Sequence, residues 1–113
     1  MTILAGGTMD NLTPRTVQLI NKFFDEDDRE LVMSVIIDES GTNLSLGNEF
    51  STGMERIRFA MIKLSNGELN RLDLAIELAK KDWRDLLVAA GFENDINAHN
   101  IWAETILHDS ILH

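Results

Sequence analysis

Residues 51–92 read STGMERIRFAMIKLSNGELNRLDLAIELAKKDWRDLLVAAGF, and their spacing describes three consecutive helices joined by very short connections. In the first, Met54, Ile57, Met61 and Leu64 recur at intervals of three and four with Ala60 beside them, which places them on one stripe of a helix. Ser51 or Thr52 is suited to cap its start, because a hydroxyl there accepts from a first-turn N–H that has no other partner. Ser65-Asn66-Gly67 ends it, with Gly67 free to adopt the left-handed conformation that closes a helix. The second helix begins near Glu68 and buries Leu69, Leu72, Ala75, Ile76 and Ala79. Lys80 and Lys81 fall in its last turn, at the negative end of the helix dipole. Asp82 is placed to cap a third, short helix carrying Trp83, Leu86, Leu87 and Ala90, which Gly91 closes. Connections this short oblige neighbouring helices to pack on one another.

The flanking sequence adds helices on both sides. Thr13-Pro14 joins a hydroxyl cap to a proline at the first helical position. The helix that follows carries Val17, Ile20 and Phe24 on one face, with Leu19 and Phe23 beside it, and ends near Phe24. Asp25-Glu26-Asp27-Asp28 breaks the chain there and supplies carboxylates to the start of the next helix, which bears Leu31, Val32, Val35 and Ile36. The apolar run 32–37 also fits a buried strand, but its flanks are charged and the chain offers no second strand to pair with it. Residues 41–50 form a long connection, of the kind that a rigid scaffold displays. After a turn at 93–95, a last helix over about 97–112 carries Ala98, Trp102 and Ile106 on one face, flanked by Ile101 and Thr105. The expectation is an all-α, single-domain bundle of about six helices over residues 13–113, preceded by a flexible N-terminal tail at 1–12.

Composition narrows the functional classes. The chain of 113 residues is 44% hydrophobic and contains one proline. These values suit a globular domain with a modest core. Cysteine is absent, which removes disulfides, thiolate metal sites and cysteine catalysis and fits a reducing cytoplasm. The net charge of −9 opposes direct binding to nucleic acid or to an anionic membrane and favours encounter with basic partners. No run approaches the roughly 20 apolar residues that span a bilayer. The apolar run near the N-terminus has no preceding basic residue and is too short for a signal-peptide core. Charge is unevenly placed: residues 1–50 sum to −6, residues 51–81 to +2 and residues 82–113 to −5.

Catalytic signals are missing. His99, His108 and His113 do not form a helical zinc motif, and a surface or capping role is expected for each, with His99 near enough to Trp102 to stack on it. Residues 25–30, DEDDRE, share the composition of a calcium loop without its ligand spacing or central glycine. No serine sits in a nucleophile elbow, and no glycine-rich phosphate loop is present. Trp83 and Trp102 read as core residues with an exposed edge. The chain therefore reads as a binding protein rather than an enzyme, without cofactor or metal. The densest feature is the set Asp25, Glu26, Asp27, Asp28, Glu30, Asp38 and Glu39: seven carboxylates within fifteen residues, with Arg29 the one cation among them. These are the candidate partner-binding residues.

The run from Glu55 to Phe92 resembles a widespread group of small helical bacterial proteins that share an ERxxxAxxKLSxGxLxxLxxxIxxAKxDxRDxL-like pattern. Glu55, Arg56, Ala60, Lys63, Leu64, Ser65, Gly67, Leu69, Leu72, Ile76, Ala79, Lys80, Asp82, Arg84 and Asp85 match it. The resemblance covers about residues 13–92 and leaves the last helix outside. Some acidic proteins of this look serve as immunity proteins for contact-dependent growth-inhibition toxins. The resemblance thus implies a cytoplasmic protein whose partner is a cognate toxin domain, a basic nuclease. The matched positions are ones that physics assigns to core, caps and turns, so the resemblance transfers no binding residue. The alternative expectation is an acidic inhibitor or adaptor, a nucleic-acid mimic acting on a nucleic-acid-binding complex.

Overall fold

The computed structural model of the chain describes residues 12–40 and 51–112, and these form six helices: α1 (Pro14–Phe23), α2 (Glu26–Ser40), α3 (Ser51–Ser65), α4 (Leu69–Lys81), α5 (Trp83–Ala90) and α6 (Ala98–Leu112). No strand occurs among the described residues, and the ambiguous run 32–37 lies within α2. The expected tail at 1–11, the connection at 41–50 and the capping side chains of Ser51 and Thr52 lie outside the described residues. Leu12, assigned to the tail on sequence, is buried at the edge of the core. No helix among the described residues is long and apolar enough to cross a membrane.

Local signals place the helix ends. Thr13 Oγ1 accepts from the Thr16 N–H at 3.2 Å, and Pro14 opens α1. Asp82 Oδ1 accepts from the Arg84 N–H at 3.0 Å and starts α5 directly after α4. Gly91 closes α5 at φ 81°, and the Phe92 N–H returns to the Leu87 carbonyl at 2.9 Å, so Phe92 turns back into the core with 1% of its surface exposed. At the end of α3, Asn66 and Gly67 both take positive φ, 50° and 83°. Gly67 is also required for space: a Cβ there would lie 2.5 Å from the Phe23 carbonyl oxygen, so the turn between α3 and α4 closes against the end of α1.

α3 is the central element and packs against each of the other five helices. Ile57, Phe59, Ala60, Met61 and Ile62 are all buried. The expected single stripe is therefore too narrow. A helix with neighbours on every side keeps no solvent face, so Phe59 and Ile62 are as buried as Ile57 and Met61, while Met54 and Leu64 are half-buried. α4 follows its expected pattern through Leu72, Ala75, Ile76 and Ala79, although Leu69 at its first position is exposed. In α2, Val32 and Ile36 are buried, but Leu31 faces solvent with 54% of its surface exposed. The inward face of α6 is rotated from the expected one: His99 and Ala103 are fully buried, and Ala98, Trp102 and Ile106 flank them half-buried.

Two substitutions test this packing. Leu72→Ala or Ile76→Ala is expected to lower stability by about 2–5 kcal/mol, the range for large-to-small changes in a packed core. Chemical denaturation measures it. A loss below about 0.5 kcal/mol would mark a surface position instead. Gly67→Ala combines positive φ with a backbone clash and is expected to destabilise by at least about 1 kcal/mol, separating α1 from the turn.

Candidate functional site

The structure divides the acidic set between the two ends of α2. Asp25, Glu26, Asp27, Asp28 and Glu30 gather at the N-terminus of the helix, where the Asp28 N–H bonds the Asp25 carbonyl at 2.9 Å and the carboxylates face the positive end of the dipole. Asp38 and Glu39 are about 16 Å further along the axis, at about 1.5 Å of rise per residue. Glu39 is half-buried and pairs with Lys80 at 3.1 Å, an arrangement that ties the end of α2 to the end of α4 and raises the Lys80 pKa through the hydrogen bond and charge of Glu39. The seven residues therefore do not form one surface. Asp25, Glu26, Asp27 and Glu30 are exposed, whereas Asp28 is half-buried. Among the described residues none of these four exposed carboxylates makes an ion pair. Arg29 is turned away from them: its Nε donates to the Phe24 carbonyl at 3.1 Å and its Nη2 to the Asn21 carbonyl at 2.9 Å, which satisfies the end of α1.

A second constellation lies where α1, α3 and α6 meet, and sequence reasoning missed it. Glu55 Oε2 accepts from Thr13 Oγ1 at 2.7 Å, and Oε1 accepts from Arg15 Nη2 at 3.2 Å. Arg15 also donates to Asn100 Oδ1 of α6. His99 Nε2 is 3.9 Å from Glu55 Oε1. The ring is 1% exposed, so the expected surface or capping role is corrected: it packs against Phe59 and Phe92 at centroid distances of 5.4 and 6.2 Å, and does not stack on Trp102. Burial lowers the His99 pKa below its ordinary value. Glu55 opposes the shift, Arg56 and Arg15 reinforce it, and the Ile96 carbonyl opposes it weakly from outside hydrogen-bonding geometry. The ring is therefore neutral at pH 7. Nothing in the sequence separates His99 from His108; its burial follows from the orientation of α6.

The cations of α3 also turn inward. Arg56 Nη2 donates to the Phe92 carbonyl at 2.6 Å, and Lys63 Nζ donates to the Ala90 carbonyl at 2.7 Å while lying over the Phe92 ring. Arg58 is buried, which lowers its pKa by desolvation. Both Glu55 oxygens are engaged, His99 has no access to solvent, and no group of His, Asp or Glu among the described residues is arranged to hold a metal ion. The exposed start of α2 gathers four carboxylates that make no ion pair among the described residues.

No protein-family model, no curated protein and no solved structure matches the chain. The resemblance of residues 55–92 therefore rests on the motif itself. Its matched Glu55, Arg56 and Lys63 are the residues that link α3 to α1 and to the end of α5.

Glu55→Ala removes the acceptor that Thr13 and Arg15 share at a half-buried site and leaves Arg15 with Asn100 alone among its side-chain partners. The variant is expected to lose about 1–3 kcal/mol, the cost of stranding buried donors. Thermal unfolding measures it, and Glu55→Gln should recover part of the loss by keeping an acceptor oxygen.

Proposed function

We propose that this protein is an immunity protein: it binds the toxic C-terminal domain of a contact-dependent growth-inhibition toxin, a basic nuclease, in the cytoplasm and occludes its active site. The observation that carries this reading is the cluster of exposed carboxylates at the start of α2, Asp25, Glu26, Asp27 and Glu30, which make no ion pair among the described residues and from which Arg29 is drawn away by the carbonyls of Asn21 and Phe24. A nuclease site is basic because it holds phosphates. Opposite charge steers such a site toward the acidic helix end and speeds encounter. Leu31 lies beside Asp27 and Asp28 on the helical repeat and is exposed, so an apolar side chain is available at the margin of the charged surface. The acids also stabilise α2 through its dipole; that role accounts for their position and leaves their outward charge in place.

The test is association with the protein domain encoded directly upstream of this chain. Reversing Glu26, Asp27 and Glu30 to lysine is expected to leave the helical spectrum nearly unchanged, slow association at low salt and weaken protection of toxin-exposed cells. Thermal melts confirm that the variant remains folded. Equal affinity and equal on-rate for parent and variant at low salt would overturn the acidic-interface reading.

A further inference from the structure

We infer that His99 is a proton-operated latch: the neutral ring holds α6 on the bundle, and protonation releases α6 while the α3–α5 core stays folded. The geometry carries this. α6 packs against α1 and α3, and it is joined to α5 by the segment from Gly91 to Asn97. His99 is the buried polar side chain on its inner face, wedged between the rings of Phe59 and Phe92. Its Nδ1 has no hydrogen-bond partner. A proton added there is a buried charge with no acceptor in hydrogen-bonding geometry, the Ile96 carbonyl giving it only weak support.

The surroundings offer little relief. From α1, Arg15 faces the ring; from α3, Glu55 and Arg56 do. The segment between α5 and α6 contributes the Phe92 ring and the Ile96 carbonyl, and Lys63 lies over the far ring system at 5.1 Å from the Phe92 centroid. On α6 itself Asn100 is bonded to Arg15. An imidazolium would thus meet two guanidinium groups and one carboxylate. That carboxylate already accepts from Arg15 and Thr13. If the imidazolium captured Glu55, it would loosen Arg15, which is the group that also holds Asn100 of α6. Both responses weaken the same joint.

The sign follows from burial. The folded state disfavours the protonated ring, so the unfolded or released state binds more protons, and docking weakens as pH falls. The loss begins near the ordinary histidine value of 6.5 and ceases below the lowered folded-state value. One proton taken up on release corresponds to up to about tenfold in the docking equilibrium per pH unit within that window.

Native-state amide hydrogen exchange on the full chain, corrected for intrinsic rates, tests the latch between pH 7 and pH 5. Protection across residues 98–108 is expected to fall by up to about tenfold per pH unit while residues 57–62 of α3 hold theirs. His99→Gln is expected to flatten the α6 response, and His99→Phe provides the same test with an apolar ring. Nuclear magnetic resonance of the parent should find the His99 ring titrating below 6.5 in step with the exchange. The inference fails if α6 stays protected at pH 5, if the His99 variants lose protection as the parent does, or if α3 opens together with α6.

Discussion

Every other described helix packs on one helix, α3, and from Ile57 to Ile62 that helix has no face left for water. α3 buries consecutive residues from Ile57 to Ile62 and touches all five other helices. Its polar residues must then find partners inside the protein, because an unpaired buried group costs about 1–3 kcal/mol. Glu55, Arg56 and Lys63 find them at the ends of neighbouring helices, where backbone and capping groups need partners too, although Arg56 Nε is buried without one. Glu55 meets the cap of α1 through Thr13, and Arg56 and Lys63 meet the carbonyls of Phe92 and Ala90 at the end of α5. A buried central helix therefore becomes a device for fixing the ends of the others.

The distribution of charge follows. Arg56 and Lys63 of α3 are drawn inward because the carbonyls at the end of α5 need donors and long side chains can reach them. The acids are not drawn in: at the start of α2 the dipole already favours them where they stand, at the surface. Between α3 and the start of α2, the cations are half-buried or buried and four of the acids are exposed, so the acids are the more outward of the two. Arg29, spent on the end of α1, makes the same point at the site itself.

Features that depend on a few neighbouring residues were legible in the sequence. Thr13-Pro14, Asp82 and Gly91 mark helix ends because caps and left-handed turns are local. The stripe of α4 was legible because that helix has one buried face. The faces of α3 and α6 were not: periodicity finds a boundary between apolar and solvated sides, and α3 has no such boundary, while α6 offers Ile101 and Trp102 as plausibly as His99. Of the acidic set, sequence density identified the start of α2 but merged it with Asp38 and Glu39, which helical rise carries to the other end and Lys80 partly neutralises. The Glu55–Arg15–His99 constellation joins residues from three helices, and no spacing along the chain encodes their meeting.

That constellation fixes arrangement more than it adds stability. Removing a carboxylate and a guanidinium from water costs energy that their attraction only partly returns, and well-packed apolar residues often serve as well. Directionality is what apolar contacts lack. α1 and α6 lie on α3 through large aromatic surfaces, Phe23, Phe59, Phe92 and Trp102, whose rings meet at tilted angles of 43–60° and would tolerate sliding. Glu55 accepts from two groups of α1, and Arg15 spans from Glu55 to Asn100, so one carboxylate sets the register of both helices. Placing an unprotonated histidine beside it extends the arrangement at a cost: the ring completes the aromatic packing only while it stays neutral, so the joint that orients α6 is also the joint most exposed to pH.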